Sequence, residues 1–166
     1  SDMMRVGFEV IPLDKVRQNS CILVGSRYRI AKTATTTFPL VSLGDENLFT
    51  IYSGGTPSSS KPEYWNGDTN WITLADLPAD DLVTEIYQSE RKISESGLNN
   101  SNAKLLPVNT VVVSTRATIG RVGIARTQLA TNQGFKNVVI KDPTVILPEY
   151  LAYALTAKKE DMLALA

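Results

Sequence analysis

Apolar residues in this chain come in short runs separated by glycine, proline and small polar residues. That is the spacing of strands rather than of long helices. Weak alternation over residues 6–13 predicts a first strand. Residues 20–30 hold a short apolar run, CILVG, ahead of a basic pair around Tyr28, and the polar, Thr/Ala-rich stretch 31–37 reads as a linker. Short strands are expected at 39–43, at 48–52 (LFTIY, ending at Gly54-Gly55) and at 70–74 (NWITL). Residues 79–87 fit a short helix or a turn. A turn is expected at Glu95-Ser96-Gly97, and 96–105 has room for one helical turn. The clearest strand is 110–114 (TVVVS), introduced by a turn at 106–109. Its three consecutive valines predict burial on both faces. Residues 119–125 read as a strand or hairpin with glycines at tight positions, and 137–141 as a further strand.

After Pro148 the pattern changes. Strong helix formers dominate 149–166, with Leu151, Ala154, Leu155, Met162 and Leu165 near helical spacing, and Pro148 suits a first helical position. No C-cap signal closes this stretch, so the helix is expected to continue past residue 166. The fold class that follows is α+β: a β-rich, twisted mixed-sheet domain with short helices and one C-terminal helix able to pack against a partner.

Composition narrows the chemistry. The 166 residues suffice for one domain with its own core, and 43% hydrophobic with 20% charged residues is ordinary for a soluble protein. No apolar run approaches the roughly 18 residues that span a bilayer. The N-terminus has no long apolar region of the signal-peptide kind, so no membrane partner and a cytoplasmic setting are expected. Cys21 is the only cysteine, which fits a reducing compartment and a buried, inert thiol. The chain contains no histidine, which excludes a Ser-His-Asp triad and any His-ligated zinc. No metal or cofactor site is expected. Adenine-methyltransferase motifs, a glycine-rich adenosylmethionine loop and a convincing nuclease core are all absent. Asp80, Asp81 and Glu85 lack the lysine at the spacing such a core requires, so a small magnesium nuclease ranks last among the readings.

Net charge is zero, from 17 basic and 17 acidic residues, which argues against indiscriminate nucleic-acid binding. The distribution changes that picture. Between residues 104 and 141 every charge is positive: Lys104, Arg116, Arg121, Arg126, Lys136 and Lys141. Residues 63–95 are mostly acidic. One reading is chance clustering on solvated faces; the other is a polyanion-facing surface opposed by one turned elsewhere.

Three stretches carry candidate contacts. The loop SGGTPSSSK has neither the Gly-Lys-Ser/Thr ending of a P-loop nor the spacing of a dinucleotide loop. It is either a plain turn or a tip whose Ser58, Ser59, Ser60 and Lys61 meet DNA backbone. Trp65 sits in a polar turn and is expected to be partly exposed; Trp71 heads a strand and is expected in the core. STRATIGRVG places Arg116, Thr118 and Arg121 around a Thr/Gly turn, where a guanidinium can grip phosphate or read guanine. ATNQGFK offers Gln133 as an adenine-reading amide beside Lys136, whereas Asn132 is expected to satisfy turn backbone. Lys104 opens the basic segment.

Four pieces in one order, SGGTPSSSKPEYWNGDTNWITLADL, KISESGLNNSNAKLLPVNTVVVSTRATIGRVGIA, ATNQGFKNVVI and LPEYLAYAL, resemble the target recognition domain of type I restriction–modification specificity subunits. Ser42-Leu43-Gly44-Asp45 stands for the family's Leu-Gly-Asp entry and residues 54–57 for its Gly-Gly-Thr-Pro loop. Residues 117–123 stand for its Ala-Thr-Ile-Gly-Lys-Val-Gly motif, with Arg121 in the Lys position. The resemblance implies a non-catalytic domain that reads one half of a bipartite site in double-stranded DNA. It also implies partners: an adenine-N6 methyltransferase subunit, or a methyltransferase domain fused in the same chain, which flips its target adenine, and a translocating restriction subunit. Residues 22–30 resemble the tail of methyltransferases fused to such a domain. The implied organisation is 1–37 as an N-terminal extension or methyltransferase tail, 38–147 as the recognition domain, and 148–166 as the start of a spacer helix. The alternative from another class is a protein-interaction module that docks a methyltransferase through its C-terminal helix and binds little DNA itself.

Overall fold

The computed structural model describes residues 13–18, 40–79 and 83–164. Contacts divide the chain into two units at residues 39 and 40. Of the first unit one short helix is described, α1 (Leu13–Gln18). The strand expected at 6–13, the linker and Cys21 lie outside the described residues, apart from Leu13, which begins that helix.

Among its described residues the second unit holds eight strands: β1 (Phe49–Ser53), β2 (Trp65–Ile72), β3 (Thr84–Ile86), β4 (Lys92–Ile93), β5 (Val111–Ser114), β6 (Val122–Ala125), β7 (Leu129–Thr131) and β8 (Phe135–Ile140). Its helices are α2 (Glu95–Asn99), α3 (Pro148–Ala157) and α4 (Lys159–Ala164). Five strands form one sheet in the order β1-β8-β5-β6-β3 and three form a second in the order β4-β2-β7. Both are mixed: β3 runs parallel to β6, β7 runs parallel to β2, and the other pairs are antiparallel. The α+β class with mixed sheets and short helices is therefore the observed one.

The valine run explains how the layers stack. Val111 and Val113 face a core built with Phe49, Val122, Ile124, Val138 and the α3 residues Leu151, Ala152 and Leu155. Val112, on the opposite face, joins Ile72, Leu77, Leu106, Leu129 and Phe135. All four β5 residues are buried, as a strand covered on both sides requires.

Several local expectations are corrected. Residues 40–43 are not a strand: Ser42 turns the chain, its carbonyl accepting from Asp45 N at 3.0 Å and its hydroxyl from Gly44 N at 3.1 Å. The 79–87 stretch contributes neither helix nor simple turn where it is described, but β3. Glu95-Ser96-Gly97 is the first turn of α2, capped by Ser94, whose hydroxyl accepts from Gly97 N at 3.1 Å. The C-terminal helix is interrupted at Lys158, whose N–H bonds back to Leu155 and Thr156, so α3 and α4 are separate segments.

Candidate nucleic-acid interface

The loop after β1 is held by the two tryptophans. Trp71 is buried, and its indole N–H donates to Gly55 O at 2.9 Å; Trp65, half-buried, donates to Ser58 O at 3.1 Å. The rings meet edge to face, centroids 5.1 Å apart and planes at 83°, a geometry that adds about 1 kcal/mol beyond area burial. The expected core position of Trp71 and partial exposure of Trp65 are both found, and the rings anchor the chain that leads to the serine tip. Glycine is required here by close approach. A Cβ on Gly54 would lie 1.8 Å from Asn132 O, and one on Gly55 2.2 Å from Ala103 N.

Those contacts bring three separated stretches together. Gly55 N donates to Thr131 O at 2.9 Å, and the Thr56 hydroxyl bonds the Gln133 side-chain oxygen. Thr115 N in turn donates to Gly134 O at 2.7 Å, which ties the 115–120 turn to the 132–134 turn. Asn132 satisfies turn backbone as expected, accepting from Gly134 N at 2.8 Å. Arg116, Gln133, Asn132, Ser114 and Leu74 line a shallow depression of about 210 Å³. Arg116 is exposed, and no carboxylate pairs with it among the described residues.

The turn that carries Arg116 is rigidly built. Ser114 donates its hydroxyl to Thr118 O and accepts from Arg121 N at 2.9 Å, while Gly120 N donates to Ser114 O at 2.9 Å. These bonds hold Ala117 at φ 61° and Gly120 at φ 85°. Left-handed backbone at an alanine costs roughly 1–2 kcal/mol, so the framework around the turn must supply that energy.

The other expected contacts are distributed unequally. Lys136, exposed at the start of β8, donates to Ser53 Oγ at 2.7 Å on the neighbouring strand. Lys104 is exposed one residue beyond the Ala103 backbone that abuts Gly55. Ser58, Ser59, Ser60 and Lys61 are exposed at the tip; the Ser58 and Ser60 hydroxyls bond at 2.8 Å, and Lys61 lies 3.9 Å from Glu63.

Arg121 is placed otherwise. Its guanidinium donates to Leu77 O at 2.9 Å and Leu74 O at 3.5 Å, and its Nε is buried. Thr118 contributes its backbone carbonyl to the turn. Two further cations of the basic segment are also engaged internally. Arg126 pairs with Glu85 at 2.7 Å and Glu149 at 2.6 Å, and Lys141 donates to Glu46 O. The guanidinium bond holds the carboxyls of Glu85 and Glu149 below the usual range. The uniform basic face expected from 104–141 thus loses Arg121 and Arg126, while Lys104, Arg116, Lys136 and Lys141 stay exposed. The acidic stretch likewise forms no single face, since Asp76 caps a turn by accepting from Thr73 N at 2.7 Å and Glu85 joins Arg126.

One cation inside the mostly acidic stretch 63–95 stands beside the loop. The Arg91 guanidinium carbon lies 4.1 Å from the Trp65 ring centroid and 4.9 Å from that of Trp71. Residue order gave no sign of this stack, because β4 reaches β2 only through sheet pairing.

Residues 37–166 match the family model for the type I restriction modification DNA specificity domain. The chain belongs to that family. Among curated relatives, it is 40% identical over 108 residues to the Type I restriction enzyme MjaIX specificity subunit of Methanocaldococcus jannaschii, which covers 65% of this chain and 24% of the relative. It is 32% identical over 120 residues to the EcoR124I/EcoR124II specificity subunit of Escherichia coli, covering 69% and 28%. The chain thus spans about a quarter of the length of these relatives. The fold is similar to that of the HsdS subunit from Thermoanaerobacter tengcongensis, with a TM-score of 0.54 at 18% identity over 90% of this chain and 36% of that one. A chain from a structure of the type I R-M system gives a TM-score of 0.50 at 17% identity, over 90% and 39%. The matched family is that of a DNA specificity domain, and the two curated relatives are specificity subunits of type I restriction enzymes. No helix among the described residues is long and apolar enough to cross a membrane.

Proposed function

We propose that this specificity domain reads one half of a bipartite DNA site through the surface where the serine loop, the 115–120 turn and the 132–134 turn meet. The observation that carries this reading is the hydrogen-bonded junction of those three stretches, which sets exposed Arg116 beside Gln133 in one depression. Arg116 offers a planar fork to guanine or phosphate. Gln133 keeps its amide N–H donors, and its oxygen retains a second lone pair beyond the Thr56 bond, so bidentate pairing with adenine stays open. Lys104, Lys136 and residues 58–61 supply phosphate contacts around it. Arg121 and Thr118 act through the scaffold, by shaping the turn that presents Arg116.

In this reading the domain works within a larger assembly. An adenine methyltransferase, as a separate subunit or a fused domain, performs the chemistry, and a restriction subunit joins it. Tyr150 and Tyr153, 68% and 64% exposed on α3, support a protein contact there, on the side away from buried Leu151 and Leu155.

The test is a fluorescence-anisotropy titration of the full chain with a pool of labelled random-sequence duplexes over a salt series. Wild-type affinity is expected to fall linearly on logarithmic axes. Arg116→Ala and Lys136→Ala are each expected to reduce the slope by about one if they hold a phosphate. Unchanged affinity and slope in both variants would remove this surface from the account. No binding by the wild type at low salt would favour the methyltransferase-docking module.

A further inference from the structure

We infer that Arg91 is an additional DNA-contacting residue, pre-oriented by the two tryptophans beside the serine loop. This rests on the DNA-reading surface just proposed and extends it to a strand outside the basic segment.

Arg91 immediately precedes edge strand β4, and its backbone carbonyl accepts from Trp71 N at 3.0 Å, which fixes the root of the side chain. Its guanidinium then lies 4.1 Å from the Trp65 centroid and 4.9 Å from that of Trp71. The residue is nevertheless exposed, and among the described residues no carboxylate pairs with it. A guanidinium resting on indole rings keeps its edge of N–H donors free for a second partner. Stacking also restricts a long side chain before any partner arrives, which lowers the ordering cost of binding. The same Trp65 ring holds Ser58 O at 3.1 Å, so the guanidinium and the serine tip are fixed to one support. The chemistry that fits a planar, positively charged fork beside exposed hydroxyls is a nucleic-acid phosphate or a guanine edge. Charge near it in sequence is balanced: exposed Glu90 and exposed Lys92 flank Arg91, and Glu63 lies 3.9 Å from Lys61.

The experiment uses the full chain, the same duplex pool and three variants. Arg91→Ala removes the side chain. Arg91→Gln keeps a flat polar group that can lie on the rings but carries no charge, and Arg91→Lys keeps the charge without the fork. Arg91→Ala and Arg91→Gln are expected to lose about tenfold in affinity, with the salt slope lowered by about one where the partner is phosphate. Arg91→Lys should recover the slope. Trp65 and Trp71 are the only tryptophans, so saturating DNA should also change wild-type indole emission, and the change should survive in Arg116→Ala but shrink in Arg91→Gln.

Circular dichroism of each variant separates loss of contact from loss of fold. Should Arg91→Ala unfold, the folded Arg91→Gln decides. If Arg91→Gln binds with wild-type affinity and slope while Arg116→Ala weakens binding, Arg91 is only a structural stack and the DNA-reading surface stands without it. If wild type binds no duplex, the surface itself falls and this residue falls with it.

Discussion

Arg116 and Arg121 lie five positions apart on one turn, and their surroundings give them different consequences. Arg121 donates to Leu77 O and more weakly to Leu74 O, so Arg121→Ala takes the partner from Leu77 O in a half-buried place, while Leu74 O keeps the Leu77 N–H at 3.3 Å. The cost expected from unpairing such a group is about 1–3 kcal/mol. Arg116 is exposed and unpaired by any carboxylate among the described residues, so Arg116→Ala should stay within about 0.5 kcal/mol of wild type. Urea midpoints of the two variants check this directly. Equal midpoints would mean that the Arg121 bonds contribute nothing net and that the residue remains available to DNA. The residue type was legible in the sequence; the direction of each guanidinium was not, because Leu74 and Leu77 arrive from more than forty residues away.

At the scale of elements, what could be read depended on whether a strand or helix was specified by its own residues. The β5 valines carry their own signal, and the strand is buried on both faces as expected. Val112→Ala removes contacts from the Phe135 side and should cost about 2 kcal/mol, read as a lower urea midpoint with DNA affinity unchanged in native conditions. A midpoint unchanged by this substitution would mean that the two-faced core does not carry the fold's stability. By contrast α2 hides behind Gly97, a poor helix residue that is present because a Cβ there would sit 2.3 Å from Tyr64 O. Strand β7 is three residues long and exists through its parallel pairing with β2, about sixty positions earlier, so a local window saw only the turn that follows it. The first residues of β2 carry a bulge between Trp65 and Thr69, with Asn66 at φ 58°, which broke the alternation that marks a strand. The candidate site follows the same rule. Gln133 and Arg116 could be picked by type, but their meeting in one depression depends on the Thr56 and Thr115 bonds, and Arg91 depends on sheet pairing.

Across the recognition unit as a whole, Arg126 joins three elements. It reaches Glu85 on β3 and Glu149 at the start of α3 from just beyond β6, and it also donates to Asn109 at 2.7 Å. Both carboxyls are held below their ordinary value of 4.5, first by the hydrogen bond from Arg126; for Glu85 the Tyr87 hydroxyl adds a second bond. A carboxyl whose folded-state pKa is depressed binds protons more weakly when folded than when unfolded. Its contribution is therefore present at neutral pH, begins to fall as the pH drops through the ordinary carboxylate range, and is gone once the depressed pKa has been passed. Arg126→Gln should weaken that dependence, leaving the smaller part that the Tyr87 hydroxyl gives Glu85. Urea unfolding followed from about pH 7 to about pH 3 is expected to show the wild type losing more stability below about pH 5 than the variant, so that the two curves converge in acid. Other carboxylates, such as Asp142 bonded by Thr144, titrate in both proteins and cancel in the difference. Curves that run parallel throughout would show that the Arg126 cluster, although well formed, does not couple protonation to the docking of α3 on the sheet.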